Sequence, residues 1–174
     1  MKKRKQPQPK TIHFVKEGQS APKGKRTTSS VLDEADNWNM AVDLQKKLVF
    51  PEVVQTNLRP DIVIWSNTAK HLVMIELTIP WETRCEEAYE RKKTKYSDLM
   101  DQCRQQGWRT WLFPVEIGAR GFPANSLWKM LGAMGLNGHE RRTAVGRLEQ
   151  SAERASSWLW SRRDERSWKP VTNT

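Results

Sequence analysis

The stretch LRPDIVIWSNTAKHLVMIELTIPWE, residues 58–82, limits the fold more than any other part of the chain. Two apolar runs flank a polar turn. They read as strands over 62–65 and 71–79, joined through 66–70 and ended by Pro80. Each run carries a carboxylate, Asp61 on the first and Glu76 on the second. Side chains alternate along a strand. Leu72, Met74, Glu76 and Thr78 therefore share one face, and Val73, Ile75, Leu77 and Ile79 share the other. The second set is wholly apolar and is expected to be the core face, with Glu76 opposite it. In an antiparallel hairpin the start of the first strand lies beside the end of the second, which makes Asp61 a neighbour of the 76–78 region. Two carboxylates about 5 Å apart repel. A hard divalent cation offsets that repulsion, and Mg²⁺ prefers one or two carboxylates plus water and phosphate oxygens. The plainer alternative has Asp61 capping a turn and Glu76 meeting a surface arginine.

The remaining elements follow from period and punctuation. A short helix is expected over 31–37. The alternation of Met40, Val42 and Leu44 suggests a strand over 38–49. A long helix over 84–106 closes at Gly107, and a strand over 108–117 alternates Trp111, Phe113 and Val115. Helices over 126–134, ended by Gly135, and over 139–163 complete the chain. This order predicts an α/β domain on a central mixed β-sheet flanked by helices.

Charge is distributed unevenly. Residues 1–28 hold nine Lys/Arg against one acid, Glu17, whereas the rest of the chain holds 21 against 19. The chain thus divides into a basic, disordered N-terminal arm (1–28), a domain (29–168) and a flexible tail (169–174). Lys2, Lys3, Arg4 and Lys5 in the arm suit nucleic-acid phosphates or a nuclear localisation signal, or simply a solvated tail. No run approaches the ~18 apolar residues of a membrane span, so no membrane partner is expected. Cys85 and Cys103 fall on the long expected helix, about 27 Å apart, too far for a disulfide. Both read as reduced core residues of an intracellular protein.

A lysine commonly sits two residues after the second acid of such a pair. Here Thr78 occupies that position. The next helix offers a substitute. At 100° per residue, Cys85, Ala88, Tyr89, Tyr96, Leu99 and Cys103 fall within about 60° of one line. Lys92 lies at the centre of that stripe and Lys95 about 60° to one side. Lys92 either snorkels to the helix edge or points over the sheet towards Asp61 and Glu76, with Lys95 and Tyr96 at the rim of the same site.

RPD at 59–61, ELT at 76–78, PWE at 80–82 and ERKKTKY at 90–96 resemble the restriction-like endonuclease domain of non-LTR retrotransposons. That domain belongs to the PD-(D/E)XK nuclease superfamily, in a variant whose lysine has migrated to the following helix. IHFV, DNW…VDL, PVEIGARGF and AERASSWLW extend the likeness over nearly the whole chain. The resemblance implies a restriction-endonuclease-like core and a Mg²⁺-dependent DNA endonuclease, with Mn²⁺ able to substitute. Asp61 and Glu76 take the places of the metal-binding catalytic acids, Lys92 or Lys95 that of the displaced lysine, and Tyr96 that of the tyrosine. The implied role is nicking of double-stranded chromosomal DNA in the nucleus to prime reverse transcription. A reverse transcriptase or retroelement RNA is an implied partner.

Glu82 is a candidate third acid or a residue at a helix N-terminus. Arg59, beside Asp61, and Arg120, between Gly118 and Gly121, are candidate DNA contacts. Glu116 reads as a structural acid. Trp158 and Trp160 read as core in preference to base-stacking platforms. Two rival functions remain: a catalytically inactive DNA-binding module that keeps the nuclease fold, and a small basic adaptor for RNA or protein.

Overall fold

The structure, a computed structural model, describes residues 30–44 and 47–165. The expected arm and tail, with Lys2, Lys3, Arg4 and Lys5, lie outside the described residues.

Four strands form one sheet in the order β1 (Asn39–Val42), β2 (Ile62–Ser66), β3 (His71–Thr78), β4 (Arg109–Glu116). β1 and β2 are antiparallel, as are β2 and β3, and β4 runs parallel to β3. Parallel neighbours need a crossover, which helix α1 (Cys85–Gln105) supplies. Helices α2 (Asn125–Ala133) and α3 (Gly138–Ser161) follow β4. The expected α/β architecture with a mixed sheet is present. Pro114 sits in β4 without breaking the sheet because β4 is an edge strand.

β3 is buried on both faces. On one, Val63, Leu72 and Met74 pack with Tyr96, Leu99, Met100 and Cys103 of α1 and with Leu48 and Phe50. On the other, Ile64, Val73, Ile75 and Val115 pack with Leu127, Met130 and Leu131 of α2 and with Val145 and Ala152 of α3. Each fully buried Leu or Met stabilises by about 2 kcal/mol relative to exposure. The expectation of a single core face is therefore corrected. Leu72 and Met74 are fully buried, whereas Leu77 and Ile79 are 44% and 48% exposed because the apolar cover stops short of them.

Other boundaries also shift. The first helix is one 3-10 turn, Val31–Glu34, whose Asp33 accepts the Ser30 N–H at 2.6 Å. β1 ends at Val42, and Leu44 is exposed. Trp158 and Trp160 are not core. The last buried residue of α3 is Ala152, and beyond it both indoles are exposed, with Arg162 and Arg163 stacked on them. No helix among the described residues is long and apolar enough to cross a membrane. Cys85 and Cys103 are free. Cys103 is a core residue and burial pushes its thiol up to about 11, whereas Cys85, expected in the core, is only half-buried near the start of α1.

Gly107 ends α1 at φ +78°. Its N–H donates to the Arg104 carbonyl at 2.9 Å and that of Trp108 to the Cys103 carbonyl at 3.1 Å, which satisfies two carbonyls of the last turn. The turn aims the chain into β4. A Cβ at this position has room but the wrong backbone angle, so Gly107→Ala is expected to cost about 1 kcal/mol. The check is a urea-denaturation midpoint; an unchanged midpoint would contradict the strain.

Candidate functional site

Strand register assembles the carboxylates. Ile62 pairs with Ile75, which places Asp61 beside Glu76 at the C-terminal end of β3. The Leu77 N–H donates to Asp61 Oδ2 at 2.6 Å and fixes the aspartate across the strand boundary. Asp43 follows β1, and its N–H donates to the Asp61 carbonyl at 2.8 Å. Three acids thus stand in one row across β1, β2 and β3. On β4, Glu116 pairs with Thr78, two residues past the Glu76–Pro114 pair and on the same face.

Glu76 is 3% exposed and is held by α1. Lys92 Nζ donates to its Oε1 at 2.5 Å, and Lys95 Nζ reaches the same oxygen at 3.3 Å. The Tyr96 hydroxyl lies 2.7 Å from Oε2 and 3.1 Å from the Arg59 carbonyl. Lys95 also donates to the Tyr96 oxygen at 3.0 Å. The sequence left open whether Lys92 snorkels or points over the sheet. It points at Glu76, whose Oε1 accepts its ammonium.

Three protonation equilibria are displaced. Burial opposes the charge on Glu76, but the hydrogen bonds of Lys92 and Tyr96 and the two ammonium charges outweigh it and hold the carboxyl below its ordinary value. Asp61 goes the other way: burial raises it, and the charges of Glu76 and Asp43 add to that, against the Leu77 hydrogen bond and Lys92. Tyr96 is raised by burial and by its bond to Glu76, so its hydroxyl stays a donor.

The remaining candidates are placed differently. The Glu82 carboxylate is engaged by Arg120. Its Oε1 accepts the Arg120 N–H at 2.7 Å and its Oε2 lies 3.2 Å from the guanidinium. That hydrogen bond, first among its causes, lowers the Glu82 pKa. Glu82 also lies against Gly118, where an added Cβ would fall 2.8 Å from its Cγ. Glu82 thus ties the 118–122 loop to the β3–α1 connection. Arg120 is exposed, divided between Glu82 and the Phe122 ring 5.9 Å away. The Arg59 side chain is exposed beside the site.

Two acids escaped the sequence reading. Asp43 carried one signal, a carboxylate directly after an apolar alternation. Glu116 was read only as structural. It is 1% exposed, and its Oε2 accepts the Ser126 hydroxyl at 2.6 Å. Among the described residues, its Oε1 and the Thr78 hydroxyl are buried without hydrogen-bond partners. Burial raises the Glu116 carboxyl from its ordinary value, against the Ser126 hydrogen bond.

No protein-family model and no curated protein sequence matches the chain.

The arrangement makes Lys92 the main counter-charge of a buried carboxylate. Lys92→Met is expected to cost about 2 kcal/mol at neutral pH, and Glu76→Gln in the same chain should restore part of it. Glu76, with its lowered pKa, gives stability that is full above the ordinary value of 4.5 and is lost as pH falls through its folded-state value. The wild-type advantage over Lys92→Met should therefore narrow below about pH 4.5. Urea titrations at pH 7 and pH 3.5 measure it, and a gap independent of pH would sink the ion-pair account.

Proposed function

We propose that this chain is a metal-dependent DNA endonuclease of retroelement origin, nicking target DNA to expose a primer for reverse transcription. What carries the reading is the convergence of Asp61 and Glu76 with Lys92 bonded to Glu76 from the following helix. A restriction-endonuclease-like core is the finer fold assignment it requires, and the mixed sheet with its α1 crossover is compatible with that.

The residues suit a hard divalent cation. Asp61 carries a carboxylate whose charge is disfavoured by burial and then by its acidic neighbours, so a cation there relieves a real repulsion. Among the described residues no group of three or more His, Cys, Asp or Glu is arranged to hold a metal ion. A site of two carboxylates completed by water and phosphate oxygens is what Mg²⁺ accepts, and Mn²⁺ should substitute. Asp61 and Glu76 would hold it, and its chemistry there is Lewis-acid polarisation of the phosphoryl group and neutralisation of charge. Lys95, with Lys92 beside it, would supply positive charge against the charge that develops on the phosphoryl oxygens. Tyr96 fixes the rotamer of Glu76. Arg59 and Arg120 offer exposed guanidinium groups to backbone phosphates. The basic residues Lys2, Lys3, Arg4 and Lys5 would add sequence-independent affinity and direct the protein to the nucleus. A reverse transcriptase or retroelement RNA would act beside it.

One observation favours a second reading. Both oxygens of Glu76 already accept donors from its own chain. A DNA-binding module that kept the fold and lost catalysis would look the same. Supercoiled plasmid separates the two. With Mg²⁺ the wild type should produce open circles, and Asp61→Ala and Lys92→Ala should reduce the rate at least about 100-fold while keeping a native circular-dichroism spectrum. Intact plasmid that is retarded equally in EDTA would put the binding module in its place.

A further inference from the structure

We propose that Glu116 is a positioning residue for Lys92, the second carboxylate to which the ammonium moves when Glu76 turns to a divalent cation. This rests on the metal-dependent reading above.

The need for a second partner follows from crowding at Glu76. Lys92 and Lys95 both sit on Oε1, and Tyr96 sits on Oε2. Tyr96 is fully buried and is also anchored at the Arg59 carbonyl, so Oε2 is the fixed oxygen. Oε1 is the one that can be freed. An ammonium 2.5 Å from that oxygen would stand against a cation bound to it, and like charges that close repel strongly. The Lys92 side chain is 20% exposed and ends a flexible four-carbon stem, so it can turn. A displaced ammonium in a half-buried place still needs an acceptor.

Glu116 offers one. It shares the sheet face of Glu76, set one pleat further along and directly across from Thr78. The Lys92 charge already acts on it. Ser126 uses Oε2 alone, and Oε1 is buried with no partner among the described residues. A buried carboxylate oxygen without a donor is costly and uncommon. Holding α2 through Ser126 accounts for Oε2 but leaves Oε1 unexplained. The Thr78 hydroxyl, also buried and unpartnered, stands at the register position between the two acids and gives the ammonium a polar surface to cross.

A thermodynamic cycle on Mn²⁺ binding tests this without DNA or turnover. Mn²⁺ is titrated into the full chain, and free metal is followed by electron paramagnetic resonance. Four proteins are compared: wild type, Glu116→Gln, Lys92→Met and the double variant. Glu116→Gln should weaken Mn²⁺ affinity about tenfold without lowering the urea midpoint. In the Lys92→Met background the same change should have no effect, since the ammonium that Glu116 would receive is gone; Lys95 stays at Glu76 in both backgrounds. Lys92→Gln replaces Lys92→Met if the latter does not fold. An equal loss in both backgrounds would mean that Glu116 acts on the metal by itself or through the fold, and would overturn the proposal. So would no loss in either. If the wild type binds Mn²⁺ and the cycle is additive, only the Lys92–Glu116 exchange fails. If the wild type binds no Mn²⁺, the endonuclease reading fails and takes this proposal with it.

Discussion

A carboxylate inside a sheet has to be met by donors, and Glu76 is met by three side chains of one helix. Lys92 and the Lys95–Tyr96 pair lie one turn apart on α1, so the bonds that satisfy Glu76 also fix the rotation of that helix relative to β3. The same face of α1 supplies Leu99, Met100 and Cys103 to the core. Site and core are thus two ends of one interface. A change in how α1 sits on the sheet would uncover apolar surface at one end and strand a charge at the other.

Electrostatic imbalance is the other property of this sheet end. Four carboxylates, Asp43, Asp61, Glu76 and Glu116, gather on one face. Among the described residues only Glu76 of these four receives lysine hydrogen bonds, and its pKa is lowered, whereas Asp61 and Glu116 are raised. Neighbouring acids displaced in opposite directions by their surroundings are a common property of sites built for ion binding or proton management. Glu82 and Arg120 have a different place in this picture. Their mutual bonds make them a brace for the loop beside the site.

Much of this was legible in residue order. The hairpin, the crossover helix, its glycine stop at Gly107 and the following strand could be placed by periodicity and turn chemistry, because those signals act over a few residues. Asp61 and Glu76 were legible as neighbours because antiparallel pairing fixes which residues lie opposite. Lys92 was legible because a lysine at the centre of an apolar stripe conflicts with its surroundings. The errors share a cause. The single core face, the long first strand and the burial of Trp158 and Trp160 were inferred from local pattern, whereas burial depends on what lies above and where that cover ends. α1 covers Leu72 and Met74, nothing in the core covers Leu77 and Ile79, and α3 outruns its contacts after Ala152.

By itself the sequence determined the class of fold and the pairing of two acids, since alternation, helical period and hairpin register are properties of the chain's own geometry. Only the tertiary structure decided that Lys92 bonds Glu76, that Glu82 belongs to Arg120, and that Asp43 and Glu116 join the acidic face. Those contacts link residues from 16 to 38 positions apart where they are bonded directly. Their existence depends on the height and angle at which α1 and the 118–122 loop settle on the sheet, and those are set by packing that no local stretch of sequence encodes.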